Sequence, residues 1–192
     1  MNPGYLTHPL AFLVDTVFSL YIMAVMLRFL LQWARADFYN PLSQFLVRVT
    51  QPLLHPLRRV VPGWGGFDFS AVLLMIILQM IALALLMLIA GVAPRVDYLV
   101  LRTPAELIGL LFNVYLVAIV VRAILSWVNP HDYNPAMTVL LSLTEPVIRP
   151  FRAILPPLSG LDLSPLAAII AIQVAKMLVM PPLDHIAPGL MM

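Results

Sequence analysis

Residues 50–70 read TQPLLHPLRRVVPGWGGFDFS, and residues 144–164 read TEPVIRPFRAILPPLSGLDLS. The second stretch repeats Thr, three Pro, Arg, Gly, Asp and Ser of the first at a constant offset of 94. Extending the comparison outward keeps the register without a gap. Arg28, Trp33, Tyr39, Asn40, Pro41 and Gln79 recur as Arg122, Trp127, Tyr133, Asn134, Pro135 and Gln173. Chance repeats apolar composition readily, but not polar, proline and glycine positions in this order. The chain is therefore read as two copies, 1–93 and 94–192.

The residues around these stretches set the solvent. Of the 192 residues, 62% are hydrophobic and 10% charged, against about 25% charged in a typical soluble domain. A bilayer core of about 30 Å takes roughly 20 helical residues to cross. Four stretches qualify, at about 10–33, 70–93, 103–127 and 164–180. The fold expected is an all-α membrane protein: four transmembrane helices arranged as two parallel helix-loop-helix repeats. The first apolar run lacks the positive flank of a cleaved signal peptide and is expected to stay. Helix starts are read at Ser70, at Thr103-Pro104 with Glu106 completing a capping box, and at Ser164-Pro165.

Two spans per copy make the copies point the same way, related by an axis along the bilayer normal. Both repeated loops, 34–69 and 128–163, then share one face. They hold Arg35, Arg48, Arg58, Arg59, Arg149 and Arg152, with Arg28 and Arg122 just inside the membrane. The opposite connection holds only Arg95 and Arg102. The positive-inside rule places the loops in the cytoplasm and both termini in the periplasm.

Each loop is expected to form a pair of short interfacial helices. The first would open at Asn40-Pro41 or Asn134-Pro135, with Leu42, Phe45, Leu46 and Val49 as an apolar stripe. Pro52 and Pro146 would break the chain, and a second short helix would end at Pro62 or Pro156. Arg58 precedes Asp68 by ten residues, as Arg152 precedes Asp162. An Arg–carboxylate fork there would tie the loop to the next span. Two readings of this elbow stand. It is an architectural joint, or Arg48, Arg58, Arg59, Arg149 and Arg152 form a basic surface for anionic lipid head groups or a protein partner.

Within the spans, Gln79 and Gln173 lie at matched depth, roughly 13 Å past the helix starts. They pair by interhelical hydrogen bonding or line a polar path. Asp15 and Lys176 have no counterparts, since Gly109 and Ala82 stand there. An intramembrane ion is expensive and a functional suspect, with an Asp15–Lys176 pair or two solvated heads as the plainer reading. Asn113 reads as packing polarity.

No cysteine is present, which excludes disulfides and thiolate chemistry. His8, His55, His131 and His185 show no metal-ligand spacing, and no triad, carboxylate pair or phosphate-binding loop is found. No enzyme activity, cofactor or metal is expected, and no polybasic run points to nucleic acid.

The duplicated Asn-Pro, Thr-x-Pro-x-x-x-Pro-x-Arg-x-x-x-Pro and Gly-x-Asp-x-Ser series resembles the YggT (YlmG) family of small membrane proteins over essentially the whole chain. The resemblance implies a multi-pass protein of the bacterial inner membrane without an established catalytic activity. It links members to osmotic tolerance and ion homeostasis, to cell division and shape, and in plastids to cytochrome assembly and nucleoid distribution. It supplies no ligand site that carries over residue by residue. His55 stands opposite Arg149 and Arg59 opposite Ala153, so neither has a symmetric role. Two functions are weighed, beside a lesser third, a cofactor-assembly role with transient haem contact. One is a scaffold or assembly factor acting through the basic elbows, with lipid, other inner-membrane proteins or a second copy as partners. The other is an ion or osmolyte conduit along Gln79 and Gln173, which four spans would form only as a homo-oligomer.

Overall fold

A computed structural model describes residues 4–64, 66–128, 135–155 and 162–186. These form six helices: α1 Gly4–Trp33, α2 Pro41–Val60, α3 Phe69–Ile89, α4 Val96–Val128, α5 Pro135–Ile154 and α6 Ser164–Ile186. Four of them, α1, α3, α4 and α6, are long and apolar enough to cross a membrane. No strand occurs among the described residues.

Three helix boundaries differ from the sequence reading. Thr103 does not start α4, which begins a further two turns upstream at Val96. Its hydroxyl donates to the Leu99 carbonyl at 2.7 Å inside the helix. Glu106 pairs with Arg102 rather than closing a capping box. Ser70 is not the cap of α3; Asp68 is, accepting from the Ala71 amide. Pro181 does not stop α6, which carries Pro181 and Pro182 in its last turns. A missing amide is tolerated there because few ladder bonds remain beyond it.

The largest correction concerns the loops. In place of two short helices, each loop holds one continuous 20-residue helix, with Pro52 and Pro56 inside α2 and Pro146 and Pro150 inside α5. A proline removes a ladder amide and crowds the preceding turn, and neighbouring donors compensate such losses in apolar surroundings. Near Pro52, carbonyls on either side of Arg48, whose own carbonyl loses its amide to the proline, accept from α1. Tyr21 donates to the Val49 carbonyl at 3.2 Å, and Arg28 to the Val47 carbonyl at 3.3 Å. Asn40 caps α2, its side chain accepting from the Leu42 amide. The matching cap Asn134, together with Tyr133, His131, Pro156 and Gly160, lies outside the described residues.

The core sits where five helices meet. Val25 of α1, Leu54 of α2, Leu74 of α3, Val114 of α4 and Leu143 of α5 share the main cluster. A smaller cluster joins Ile119, Ile148 and Ala168 from α4, α5 and α6. These three are the positions of Val25, Leu54 and Leu74 shifted by 94, so the sequence repeat reappears as a repeated packing triad. α1 packs on α3 and α4 on α6, while α3 also packs on α4; α6 and α1 do not touch among the described residues.

Candidate functional site: a duplicated arginine elbow

The joint between a span and its loop helix is built around a buried arginine. Arg28, on the last turns of α1, is 4% exposed. It donates to the Thr50 hydroxyl at 2.7 Å and to Gln51 Oε1 at 3.0 Å. Thr50, fully buried, donates its own hydroxyl hydrogen bond to the Leu46 carbonyl at 2.6 Å. The second copy repeats the relay. Arg122 donates to the Thr144 hydroxyl at 2.7 Å, and Thr144 to the Leu140 carbonyl at 2.6 Å. Glu145 replaces Gln51 and pairs with Arg122 at 3.2 Å. The duplication is incomplete: Tyr115, at the position of Tyr21, has no partner for its buried hydroxyl among the described residues.

A second arginine closes each elbow from the far end of the loop helix. Arg58 donates to the Asp68 carboxylate, which also accepts from the Ser70 hydroxyl and the Ala71 amide. Asp68 is thus both helix cap and ion-pair partner. Burial pushes its carboxyl up, but the bonds from Ser70, Arg58 and Ala71, with the Arg58 charge, outweigh this and hold it below the usual carboxylate range. In the second copy Arg152 reaches Glu145 at 2.7 Å and Asp162 at 3.3 Å. Asp162 accepts from the Ser164 amide at 2.9 Å. Both expected Arg–Asp ties are therefore present.

Between Arg58 and Asp68 the chain must reverse. Trp64 and Phe67 exchange backbone bonds of 3.1 and 3.0 Å, with Gly66 at φ +87° in the left-handed region. A Cβ on Gly63 would stand 3.2 Å from the Phe67 carbonyl. Phe67 stacks edge-on against Phe29 of α1 at 5.0 Å, which seats the turn beside the Arg28 joint.

The outward face of the elbows is basic and apolar together. Arg48, Arg59 and Arg149 are exposed, and none of them pairs with a carboxylate among the described residues. Arg59 faces His55 at 3.2 Å. The apolar stripe expected to lie in the interface is split: Leu46 and Val49 are half-buried, and Leu46 packs on the main core. Phe45 is 61% exposed, and Leu42 lies outside with it. Ser43, Thr50 and Leu54 face the protein instead.

The other residues singled out from sequence are not brought together. Gln79 is half-buried on α3 and Gln173 exposed on α6, helices that do not touch among the described residues. Asp15 is exposed on α1 and does not meet Lys176, which donates to Asn113 at 2.7 Å. Charge on the opposite face gathers elsewhere, where Arg102 bridges Glu106 at 2.7 Å and Asp184 at 2.5 Å. A cavity of about 430 Å³ opens between α1, α2, α4 and α5, walled by residues such as Leu27, Leu46, Leu110 and Leu140, with Asn113 at its edge. No three His, Asp or Glu side chains gather as a metal site among the described residues.

Arg28, Arg122, Thr50, Thr144 and Glu145 were absent from the candidate site residues read from sequence. The available signal was that both Arg–Thr pairs recur at one offset, with an arginine inside an apolar span.

Comparison with known proteins finds the same duplication. The CCB3/YggT family model matches twice, over residues 7–89 and 101–183. An uncharacterised protein of Pseudomonas aeruginosa is 43% identical, with 88% of this chain and 86% of that one covered. A Vibrio alginolyticus protein is 45% identical over 88% and 92% of the two chains. The uncharacterised protein YggT of Escherichia coli K12 is 40% identical over 88% and 87%. No solved structure matches. Matched along both halves and by relatives of nearly full length, the chain belongs to the CCB3/YggT family.

Proposed function

We propose that this protein is a non-enzymatic scaffold of the bacterial inner membrane, built from two parallel repeats whose elbows rest on the cytoplasmic leaflet. One observation carries the reading. The elbow spends Arg28, Arg58, Arg122 and Arg152 on internal bonds and leaves Arg48, Arg59 and Arg149 outward, beside exposed Phe45 and Trp64. A helix with large apolar side chains outward and arginines at the rim suits the head-group boundary of an anionic leaflet. Orientation follows from the arginine asymmetry of the two faces, with both termini periplasmic. The internal relays fix the angle of each elbow. The exposed arginines then serve as the contact surface for lipid and for membrane partners in envelope or osmotic homeostasis.

The conduit reading loses support, because Gln79 and Gln173 sit on helices that do not meet among the described residues and the cavity wall is apolar but for Asn113. The scaffold reading is tested by in-cell photocrosslinking from positions 59 and 149, beside complementation of a deletion strain with Arg48→Gln/Arg59→Gln/Arg149→Gln. Crosslinks at both positions and failed complementation by a folded, membrane-inserted variant are expected. Full complementation with unchanged crosslinks overturns the reading.

A further inference from the structure

The two copies are joined head to tail. α3 of the first copy packs on α4 of the second, but their counterparts α6 and α1 do not touch among the described residues. A closed two-fold arrangement would form both contacts or neither. Matched elements α1 and α4, and α2 and α5, also meet. The α3–α4 contact, however, has no twin among the described residues and is thus heterologous, and heterologous interfaces leave one complementary face free at each end.

Those free faces are identified by comparing matched positions. Leu166, Ile170, Gln173, Val174, Met177 and Pro181 form one exposed stripe on α6. Their counterparts on α3, 94 residues earlier, are Val72, Ile76, Gln79, Met80, Leu83 and Met87, every one of them partly or fully buried. At matched positions Met87 is 3% exposed where Pro181 is exposed, and Leu83 is half-buried where Met177 is 69% exposed. Both helices keep the packing within their own copy, α3 on α1 and α6 on α4. The extra burial on α3 therefore comes from the contact between copies. On the receiving side, Leu107 and Leu111 of α4 pack on the main core and Val114 is 7% exposed. Their counterparts on α1, Leu13, Val17 and Leu20, are 58%, 63% and 56% exposed.

We propose that a second copy of the chain docks its α1 stripe on the α6 stripe of the first, repeating between chains the α3–α4 interface formed within one. The occupant is a second copy because each open face is the sequence-matched twin of a face that the chain already covers with its own complement. The amide of Gln173, facing outward within a membrane-length helix, would be covered as Gln79 is. The assembly grows head to tail and is complete only when the last α6 meets the first α1 in a ring. This surface lies in the spans, away from the exposed arginines of the elbows, and the proposal stands independently of the scaffold reading.

The chain contains no cysteine, so single-cysteine variants report directly. α1 and α6 run in opposite directions, which sets Leu20 of one copy level with Met177 of the next. Differently tagged Leu20→Cys and Met177→Cys chains are co-expressed and oxidised in membranes, beside a Ser19→Cys control on another face of α1. Mixed crosslinks between Leu20→Cys and Met177→Cys, well above the Ser19→Cys control, are expected. The chain carrying both substitutions should give a ladder of covalent oligomers. Met177-to-Met177 crosslinks alone would indicate a face-to-face dimer and overturn the proposal. An absence of crosslinks, with single-step photobleaching of the fluorescently tagged unsubstituted protein in membranes, would mean that lipid alone covers both stripes and would overturn it too.

Discussion

Arg28 donates to the hydroxyl of Thr50 at 2.7 Å across the joint between α1 and α2. The pair closes a relay in which Thr50 donates onward to the Leu46 carbonyl. A charge 4% exposed at the end of a span is held by one carbonyl, a hydroxyl and a side-chain amide rather than by a carboxylate. Bonds to a charged group are roughly twice as strong as neutral ones, and removing one partner leaves the other to bear its desolvation.

Arg28→Met keeps the unbranched stem of the side chain and removes every donor. It is expected to cost about 2–3 kcal/mol, read as a lower midpoint of thermal unfolding in detergent. Thr50→Val should cost somewhat less, because Arg28 retains Gln51 and the Val47 carbonyl. The double variant should lose less than the sum, as expected of residues in one network. Strict additivity would mean that the relay is not a unit.

Asp68 sets an acid limit on the first elbow. Its folded pKa lies below the ordinary value, so the unfolded chain binds the proton more readily than the folded one. The stabilisation is complete above the unfolded value of about 4 and is lost as pH falls through the folded one. Unfolding midpoints measured downward from pH 7 should therefore fall in acid for the unsubstituted protein. Asp68→Asn should be less stable at neutral pH and should lose part of that acid dependence. Parallel curves would remove Asp68 from the account.

Gly66 occupies φ +87° in the turn between Trp64 and Phe67. Gly66→Ala is expected to cost about 1–2 kcal/mol, since open space around the site leaves backbone strain as the only penalty. Gly63→Ala meets the Phe67 carbonyl instead and should also destabilise. Unfolding midpoints equal to that of the unsubstituted protein would show that the turn relaxes freely.

Short-range ion pairs and the apolar spans were legible in the sequence, and contacts between distant elements were not. The Arg58–Asp68 and Arg152–Asp162 ties could be read because a turn of fixed length brings their ends together. The Arg28–Thr50 relay joins residues 22 apart across two helices, and no local pattern encodes which face of α2 turns inward. The stripe of α2 was read for the interface, but it does not say that the polar Ser43 and Thr50 are the residues that pack inside while Phe45 stays out. Pro52 read as a break because the donors around it, Tyr21 and Arg28, belong to another helix. The expected meeting of Gln79 with Gln173 assumed a closed two-fold axis, whereas α3 packs on α4 and does not touch α6 among the described residues.

The most direct test of the elbow surface is lipid selection. The protein is reconstituted in nanodiscs of mixed phosphatidylglycerol and phosphatidylcholine, and the lipids it retains on release are counted by native mass spectrometry. Arg48, Arg59 and Arg149 should enrich the anionic lipid, at about 1 kcal/mol per arginine near the surface. Arg48→Gln/Arg59→Gln/Arg149→Gln should abolish the enrichment while leaving the unfolding midpoint unchanged. Equal retention of both lipids by the unsubstituted protein, or enrichment that survives the triple substitution, would contradict the account.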